Sequence, residues 1–203
     1  DADDDGLLDI FEASGTDADG DGVVDDATDA DGNGFADVVA GMPWPTPDTD
    51  GDGDFDFQDV DADGDGIPDV NEGNDADEDG VADWMAGGSD SNGNGIDDGF
   101  EADLAAGAPA LPDTDGDGTA NWRDPDDDGD TVPTEFEDVN GDGNHANDDT
   151  DGDGIPDFLD SDDDGDTVPT ADENPDPNGD GDLSDAQDTD GNGTPDYLDN
   201  DDD

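Results

Sequence analysis

The stretch Asp149-Thr-Asp-Gly-Asp-Gly-Ile-Pro-Asp-Phe-Leu-Asp160 runs directly into Ser-Asp-Asp-Asp-Gly-Asp-Thr-Val-Pro-Thr170. Its carboxylates recur at alternate positions, and a Gly follows the third of them. Neither the 3.6-residue spacing of a helix nor a sustained apolar/polar alternation is present. The same register, Asp-x-Asp-x-Asp-Gly or an Asn variant, covers the chain, with loops starting at Asp1, Asp17, Asp29, Asp48, Asp61, Asp75, Asp90, Asp113, Asp124, Asp138, Asp149, Asp160, Asp176 and Asp188. A longer period overlies it: Asp113-Thr-Asp-Gly-Asp-Gly returns 36 residues later at Asp149, and 39 later again at Asp188 with Asn192 for Asp. This self-similarity predicts a repeat architecture. Three loops form one unit in residues 113–203, whereas residues 1–112 hold less regular loops with Ala- and Pro-containing spacers.

Composition says what this repeat can be. Of 203 residues, 70 are acidic and one is basic, giving a formal net charge of −69. Seven acids are Glu and 63 are Asp, so the shorter carboxylate is wanted for itself. With 27% hydrophobic and 5% aromatic residues, burial of apolar surface cannot offset the entropy of ordering the chain. With no Cys there are no disulfides to help, which leaves disorder or order supplied by cations. A polyanion whose only Lys or Arg is Arg123 repels nucleic acid and anionic membranes, and no apolar run is long enough to span a bilayer. No nucleophile with a base beside it can be argued, and His145 and Arg123 stand alone, so no enzyme is expected.

Alternating carboxylates are what a hard cation requires. Calcium takes six to eight oxygens at about 2.3–2.6 Å, from loop positions 1, 3, 5, 7, 9 and 12 around a Gly at position 6. The loop from Asp61 fills every slot with Asp61, Asp63, Asp65, Asp69 and Glu72, plus the Ile67 carbonyl and Gly66. Asp1, Asp3, Asp5, Asp9 and Glu12 repeat this, as do Asp90, Asn92, Asn94, Asp98 and Glu101 with less charge. Further ligands are expected from Asp17, Asp19, Asp21 and Asp25; from Asp29, Asp31, Asn33 and Asp37; from Asp48, Asp50, Asp52, Asp56 and Asp59; and from Asp75, Asp77, Asp79 and Asp83. In the regular half they are Asp113, Asp115, Asp117, Asn121 and Asp124; Asp126, Asp128 and Glu137; Asp138, Asn140 and Asp142; Asp149, Asp151, Asp153, Asp157 and Asp160; Asp162, Asp164 and Glu173; Asp176, Asn178 and Asp180; and Asp188, Asp190, Asn192, Asp196 and Asp199.

Asp124, Asp149, Asp160 and Asp199 each close one loop at position 12 and open the next at position 1, which leaves no room for the helices of an EF-hand pair. Counted from Asp124 and Asp160, two loops place Val132 and Val168 at position 9. Glu137 and Glu173 then fall at position 14, with Glu135 and Asp172 as competitors. The loops from Asp138 and Asp176 carry Ala146 and Ser184 at position 9. Carboxylates about 4 Å apart repel by about 4 kcal/mol at an effective dielectric near 20, so a closed loop calls for its cation. One Ca²⁺ per loop, about 14 in all, brings the formal charge to about −41. Mg²⁺ fits less well because it demands octahedral geometry, and transition metals would want His or Cys.

Tandem Asp-x-Asp-x-Asp-Gly-x-x-Asp loops joined by links such as Gly154-Ile-Pro-Asp157 resemble thrombospondin type 3 repeats, particularly the cysteine-free bacterial kind. The match covers nearly the whole chain and is most specific in residues 113–203. The resemblance implies an irregular chain wrapped around a string of Ca²⁺ ions, an extracellular setting, and a role in adhesion or as a spacer stiffened by calcium.

The expected fold is irregular: an elongated rod of tandem calcium-binding loops with few secondary structures, short helical turns and no conventional hydrophobic core. A short helix is expected around Phe100 and Leu104, ending at Gly107. Apolar residues at positions 7, 8, 10 and 11, such as Phe158 and Leu159, read as small clusters between loops. Pro43-Trp-Pro-Thr-Pro47 reads as a stiff brace. Asn192-Gly-Thr194 matches the N-glycosylation pattern, but Asn192 is preferred as a ligand. Thr49, Thr114, Thr150 and Thr189 at position 2 are expected to point outward, where O-linked glycans could attach.

The chain opens on Asp1 and stops within a loop at Asp199-Asn-Asp-Asp-Asp203, which fits an excerpt of a longer repeat or a subunit completed head-to-tail by another copy in a filament. The function expected is a secreted or cell-surface structural rod, stalk or fibre subunit. A calcium reservoir or mineral-nucleating polyanion is the alternative.

Overall fold

A computed structural model describes residues 47–75, 79–83, 111–179 and 181–202. The loops from Asp1, Asp17, Asp29 and Asp90, the brace at 43–47 apart from Pro47, the helix near 97–107, Asp77 and Asp180 lie outside them. Among the described residues no strand forms. Regular structure is confined to single helical turns: one α-helical turn, α1 (Asp69–Glu72), and 3₁₀ turns at Asp56–Gln58, Asn121–Arg123, Thr134–Phe136, His145–Asn147, Asp157–Leu159, Thr170–Asp172, Leu183–Asp185 and Asp196–Leu198. None is long and apolar enough to cross a membrane.

Each turn begins where the sequence fixes the backbone. Pro68, Pro133, Pro156, Pro169 and Pro195 precede five of them with φ between −59° and −68°, leading an extended residue into the first helical one. The turn then closes the loop behind it. In seven of these nine turns the first N–H donates to the carbonyl nine residues earlier, Asp56 to Pro47, Asp69 to Val60, Asn121 to Pro112, Thr134 to Pro125, Asp157 to Asp148, Thr170 to Ser161 and Asp196 to Gln187, and Asp83, which begins no helical turn, bonds Asn74 in the same way. A second clasp runs from the position 2 N–H to the side chain seven residues on, as in Ala62 to Asp69 and Thr150 to Asp157.

These clasps correct the register of two loops. Asp127 and Asp163 donate their N–H groups to the hydroxyls of Thr134 and Thr170, so those threonines hold position 9 and the loops begin at Asp126 and Asp162. Val132 and Val168 therefore stand at position 7, and Glu137 and Glu173 at position 12. Position 6 falls on Thr131 and Thr167, with φ of +84° and +88° where sister loops place Gly66 at +100° and Gly154 at +105°. Asp124 and Asp160 do not open the second loops. They end the first ones and cap the start of the second, accepting the N–H groups of Asp126 and Asp162, as Asp59 and Asp199 do for Asp61 and Asp201.

Loops consequently come in pairs, 48–59 with 61–72, 113–124 with 126–137, and 149–160 with 162–173. The N–H of Asp50 donates to Ala62 and that of Asp115 to Asp127, laying position 3 of the first loop along the second. The second loop meets it with a glycine. A Cβ on Gly64 or Gly129 would lie 2.9 Å or 2.7 Å from a carboxylate oxygen of Asp50 or Asp115, and Gly165 is crowded in the same way by Asp151. Position 4 of the second loop must be Gly both for this approach and for its positive φ.

Apolar burial is small and local. Ala62 and Trp122 pack together with Leu111 and Ala120 against them, and Ile67, Phe158 and Leu159 form a second cluster. Among the described residues seven apolar side chains are buried against 21 polar or charged ones, so the interior consists chiefly of carboxylates. Arg123 holds two loop pairs together. Its guanidinium stacks 4.3 Å over the Trp122 ring and meets the fully buried Asp56 at 2.7 Å.

Candidate metal centres

The preference for Asp over Glu has a local cause. At positions 3 and 5, one carboxylate oxygen accepts the N–H two residues further on: Asp128 from Asp130, Asp130 from Val132, Asp151 from Asp153, Asp153 from Ile155. Only the short side chain closes this Asx turn, and an added methylene would carry the carboxylate past it. The second oxygens of Asp128 and Asp130 are buried without a hydrogen-bond partner, and both residues belong to one carboxylate cluster. Glutamate is placed where reach is needed, at position 12 in Glu72, Glu137 and Glu173.

The first loops of the pairs are open to solvent. Asp48, Asp50 and Asp52 gather with all three exposed, as do Asp113, Asp115 and Asp117. In the second loops the same arrangement is buried. Asp61, Asp63 and Asp65 converge, and Asp65, Glu72 and Asp127 bring their oxygens within 4.8 Å of one another. Asp128, Asp130, Glu137 and Asp163 form the equivalent group with all four buried. Oxygens sharing a calcium ion at about 2.3–2.6 Å lie within about 5 Å of one another, so these spans suit a common ion.

Both oxygens of Glu72, Asp127, Glu137, Asp163 and Glu173 are buried without a hydrogen-bond partner. A desolvated carboxylate with nothing to neutralise it is costly, and nearly all buried polar groups in proteins are satisfied. The donor set, all carboxylate and carbonyl oxygen, is that of a hard cation. These residues fit a metal ion.

Protonation follows the same logic. Burial first, then the charges of Asp65 and Asp63, push Asp127 up to about 9. Burial and then Asp130 push Asp128 up to about 9, and Asp163 is pushed up to about 10 by burial and then by Asp130. Glu72 and Glu137 are raised well above the usual carboxylate range, by burial and then by Asp65 and Asp128 respectively. Glu173 is pushed up to about 8 by burial, then by Asp164, Asp166 and Asp202. Without a cation the centres would hold protons. Tyr197 is buried nearby, and its phenol is raised to about 12 by burial first and then by Asp163, Glu137 and Asp130.

Several expected ligands take a different part. Both oxygens of Asp157 are held by the N–H and hydroxyl of Thr150, those of Asp196 by Thr189, and those of Asp56 by Thr49, with Arg123 as well. Asn121 accepts from the Thr114 N–H and donates to its hydroxyl. Position 9 thus closes the loop, and the position 2 threonines bond it through their hydroxyls while Thr49, Thr150 and Thr189 remain exposed residues. In the loop from Asp138, Asn140 donates to Asp148 and Asn147, while Asp138 accepts from Asp142 and Gly143. Asn178 donates to Asp185, and Asn192 to Asp199. His145 is buried edge-on to Phe158, 6.2 Å between ring centres.

Three cluster members, Asp127, Asp130 and Asp163, are missing from the ligand set expected from the sequence, and the corrected register adds Asp166. Asp130 and Asp166 are position 5 once the register is corrected, and Glu137 and Glu173 at position 12 from Asp126 and Asp162 were the available signal. Asp127 and Asp163 occupy position 2 and serve another loop's cluster, which no single-loop pattern reveals. No protein-family model matches the chain, and no curated protein matches it.

Proposed function

We propose that this chain is an extracellular calcium-binding structural repeat protein, a rod, stalk or filament subunit whose loops become rigid when ions bind. The observation that carries this reading is the centre of Asp128, Asp130, Glu137 and Asp163, four buried carboxylates converging with both oxygens of Glu137 and Asp163 unpartnered. Such a centre has a use only if a cation enters it. The scarcity of apolar burial supports a structural role, because the ions then take the place of a core. The resemblance of the loop sequences to thrombospondin type 3 repeats supports the same reading.

Extracellular modules of this chemistry bind calcium at about 10⁻⁴–10⁻³ M, which places the ordered form where calcium is millimolar. Adhesion through the exposed surface and head-to-tail assembly with further copies belong to the same reading. A reservoir or mineral-nucleating role is the second reading, favoured by the solvent-facing trios Asp48/Asp50/Asp52 and Asp113/Asp115/Asp117, which would exchange ions freely.

A calcium titration of chelator-stripped protein tests both, with radius of gyration from small-angle scattering and ion stoichiometry from calorimetry. Cooperative passage to a defined elongated particle supports the structural reading. Ion uptake by a chain that stays expanded would transfer the case to the reservoir.

A further inference from the structure

We propose that each buried centre is a composite site, closed by the position 2 aspartate of the following loop pair, so that a divalent cation clamps consecutive pairs together. This rests on the calcium reading above and concerns which part of the chain completes each site.

The sites are built from two places in the sequence. Loop 61–72 contributes Asp65 and Glu72 to a cluster whose third member, Asp127, comes from loop 126–137. Loop 126–137 contributes Asp128, Asp130 and Glu137 to a cluster whose fourth member, Asp163, comes from loop 162–173. Asp127 and Asp163 occupy the same position in successive units, 36 residues apart, and Asp202 follows 39 later with its charge bearing on Asp164 and Glu173.

Position 2 has no duty within its own loop that needs a carboxylate. Its backbone N–H makes the clasp to position 9, and the earliest described second loop has Ala62 there, buried against Trp122. At Asp127 and Asp163 the side chain is 1% and 2% exposed, and neither oxygen has a partner. Two buried, unpartnered carboxylates aimed at another loop's cluster are a liability unless a cation joins them. With the ion in place, the pairs are docked by the coordination bonds themselves.

The arrangement makes a crossed prediction: a substitution in one loop pair must weaken the pair before it. Hydrogen exchange read by mass spectrometry across a calcium series gives a midpoint for each loop in the full chain. Asp163→Asn keeps the side-chain shape and the backbone clasp. It should shift the midpoint of residues 126–137 upward by about tenfold or more, since calcium affinity follows ligand charge, and leave 61–72 in place. Asp127→Asn should shift 61–72 instead.

If either variant moves only its own loop, or neither loop, while the wild-type chain still gains protection with calcium, the composite site is refuted and the calcium reading survives. Wild-type protein that gains no protection at any calcium concentration refutes both. Because each substitution keeps the side-chain shape and the backbone clasp and removes a carboxyl that only a cation would use, the ion-free chain should be no less ordered than wild type. Its scattering profile in chelator checks that independently.

Discussion

Gly129 and Gly116 offer a matched pair of substitutions that isolates the contact between paired loops. Both lie in the left-handed region, at φ +71° and +74°. Replacing either with Ala incurs the backbone penalty of an L-residue there, about 1–2 kcal/mol. Around Gly116 nothing lies within 4 Å of the new Cβ, so the penalty stands alone. At Gly129 the Cβ would lie 2.7 Å from Asp115 Oδ2, 2.9 Å from its Cβ and 3.3 Å from its Cγ.

Asp115 cannot easily retreat, because its N–H is bonded to the Asp127 carbonyl and its Oδ1 holds the Asp117 N–H. Overpacking of this kind adds about 1–3 kcal/mol. Gly116→Ala should therefore destabilise by about 1–2 kcal/mol and Gly129→Ala by about 2–5 kcal/mol. Urea unfolding in saturating calcium, followed by tryptophan fluorescence, measures the difference. Gly152→Ala and Gly165→Ala repeat the experiment one unit later, with open space at the first and Asp151 at the second. Equal losses within each pair, to about 0.5 kcal/mol, would mean that the loops do not meet where position 3 lies on position 4.

Arg123→Met should destabilise the calcium-loaded chain by about 2–3 kcal/mol, below the usual cost of breaking a buried pair because the guanidinium is 21% exposed. Adding Asp56→Asn should recover part of that loss in the same urea assay, and an unchanged midpoint for Arg123→Met would show that the bridge contributes nothing. For pH the signs oppose one another with and without metal. In chelator, Asp127, Asp128 and Asp163 have folded-state values of about 9, 9 and 10, above the ordinary carboxylate value, so the folded form binds the extra protons. Their contribution is complete below about pH 4 and is lost as pH rises through about 9–10, so the metal-free chain should be more compact at about pH 5 than at about pH 9. In saturating calcium the order should reverse, since protons compete with the ion, and a radius of gyration independent of pH in chelator would contradict the buried centres.

The sequence made the register of the first loop of each pair legible, though not the closing role of position 9, because Asp113-Thr-Asp-Gly-Asp-Gly and its copies keep Gly at position 6 and a polar residue at position 9. The second loops of the two later pairs, unlike that from Asp61, are misread by two residues for a physical reason. Asp124-Pro-Asp and Asp160-Ser-Asp extend the alternation upstream, so Gly129 and Gly165 imitate position 6 while serving as the position 4 contact. True position 6 carries Thr131 and Thr167 at positive φ, which residue preference argues against. Aligning Thr131-Val-Pro-Thr134 beneath Gly66-Ile-Pro-Asp69 restores the register, with Glu137 beneath Glu72. The shortage of secondary structure was legible from Gly and Pro content alone. The clusters that join residues 26 or more positions apart were not, since alternate spacing describes one loop and says nothing of its neighbour.

The fixed offset between paired loops has an evolutionary consequence. An insertion after Glu72, Glu137 or Glu173 leaves every clasp inside a pair untouched, and the intervals from these residues to the next loop do vary. An insertion between Asp124 and Asp126 would separate Gly129 from Asp115 and the Asp124 cap from its N–H at once. Gene duplication that adds a docked pair must therefore copy a stretch like residues 113–137 whole. A breakpoint inside it would yield two halves that each retain the aspartate pattern and have lost the means to dock.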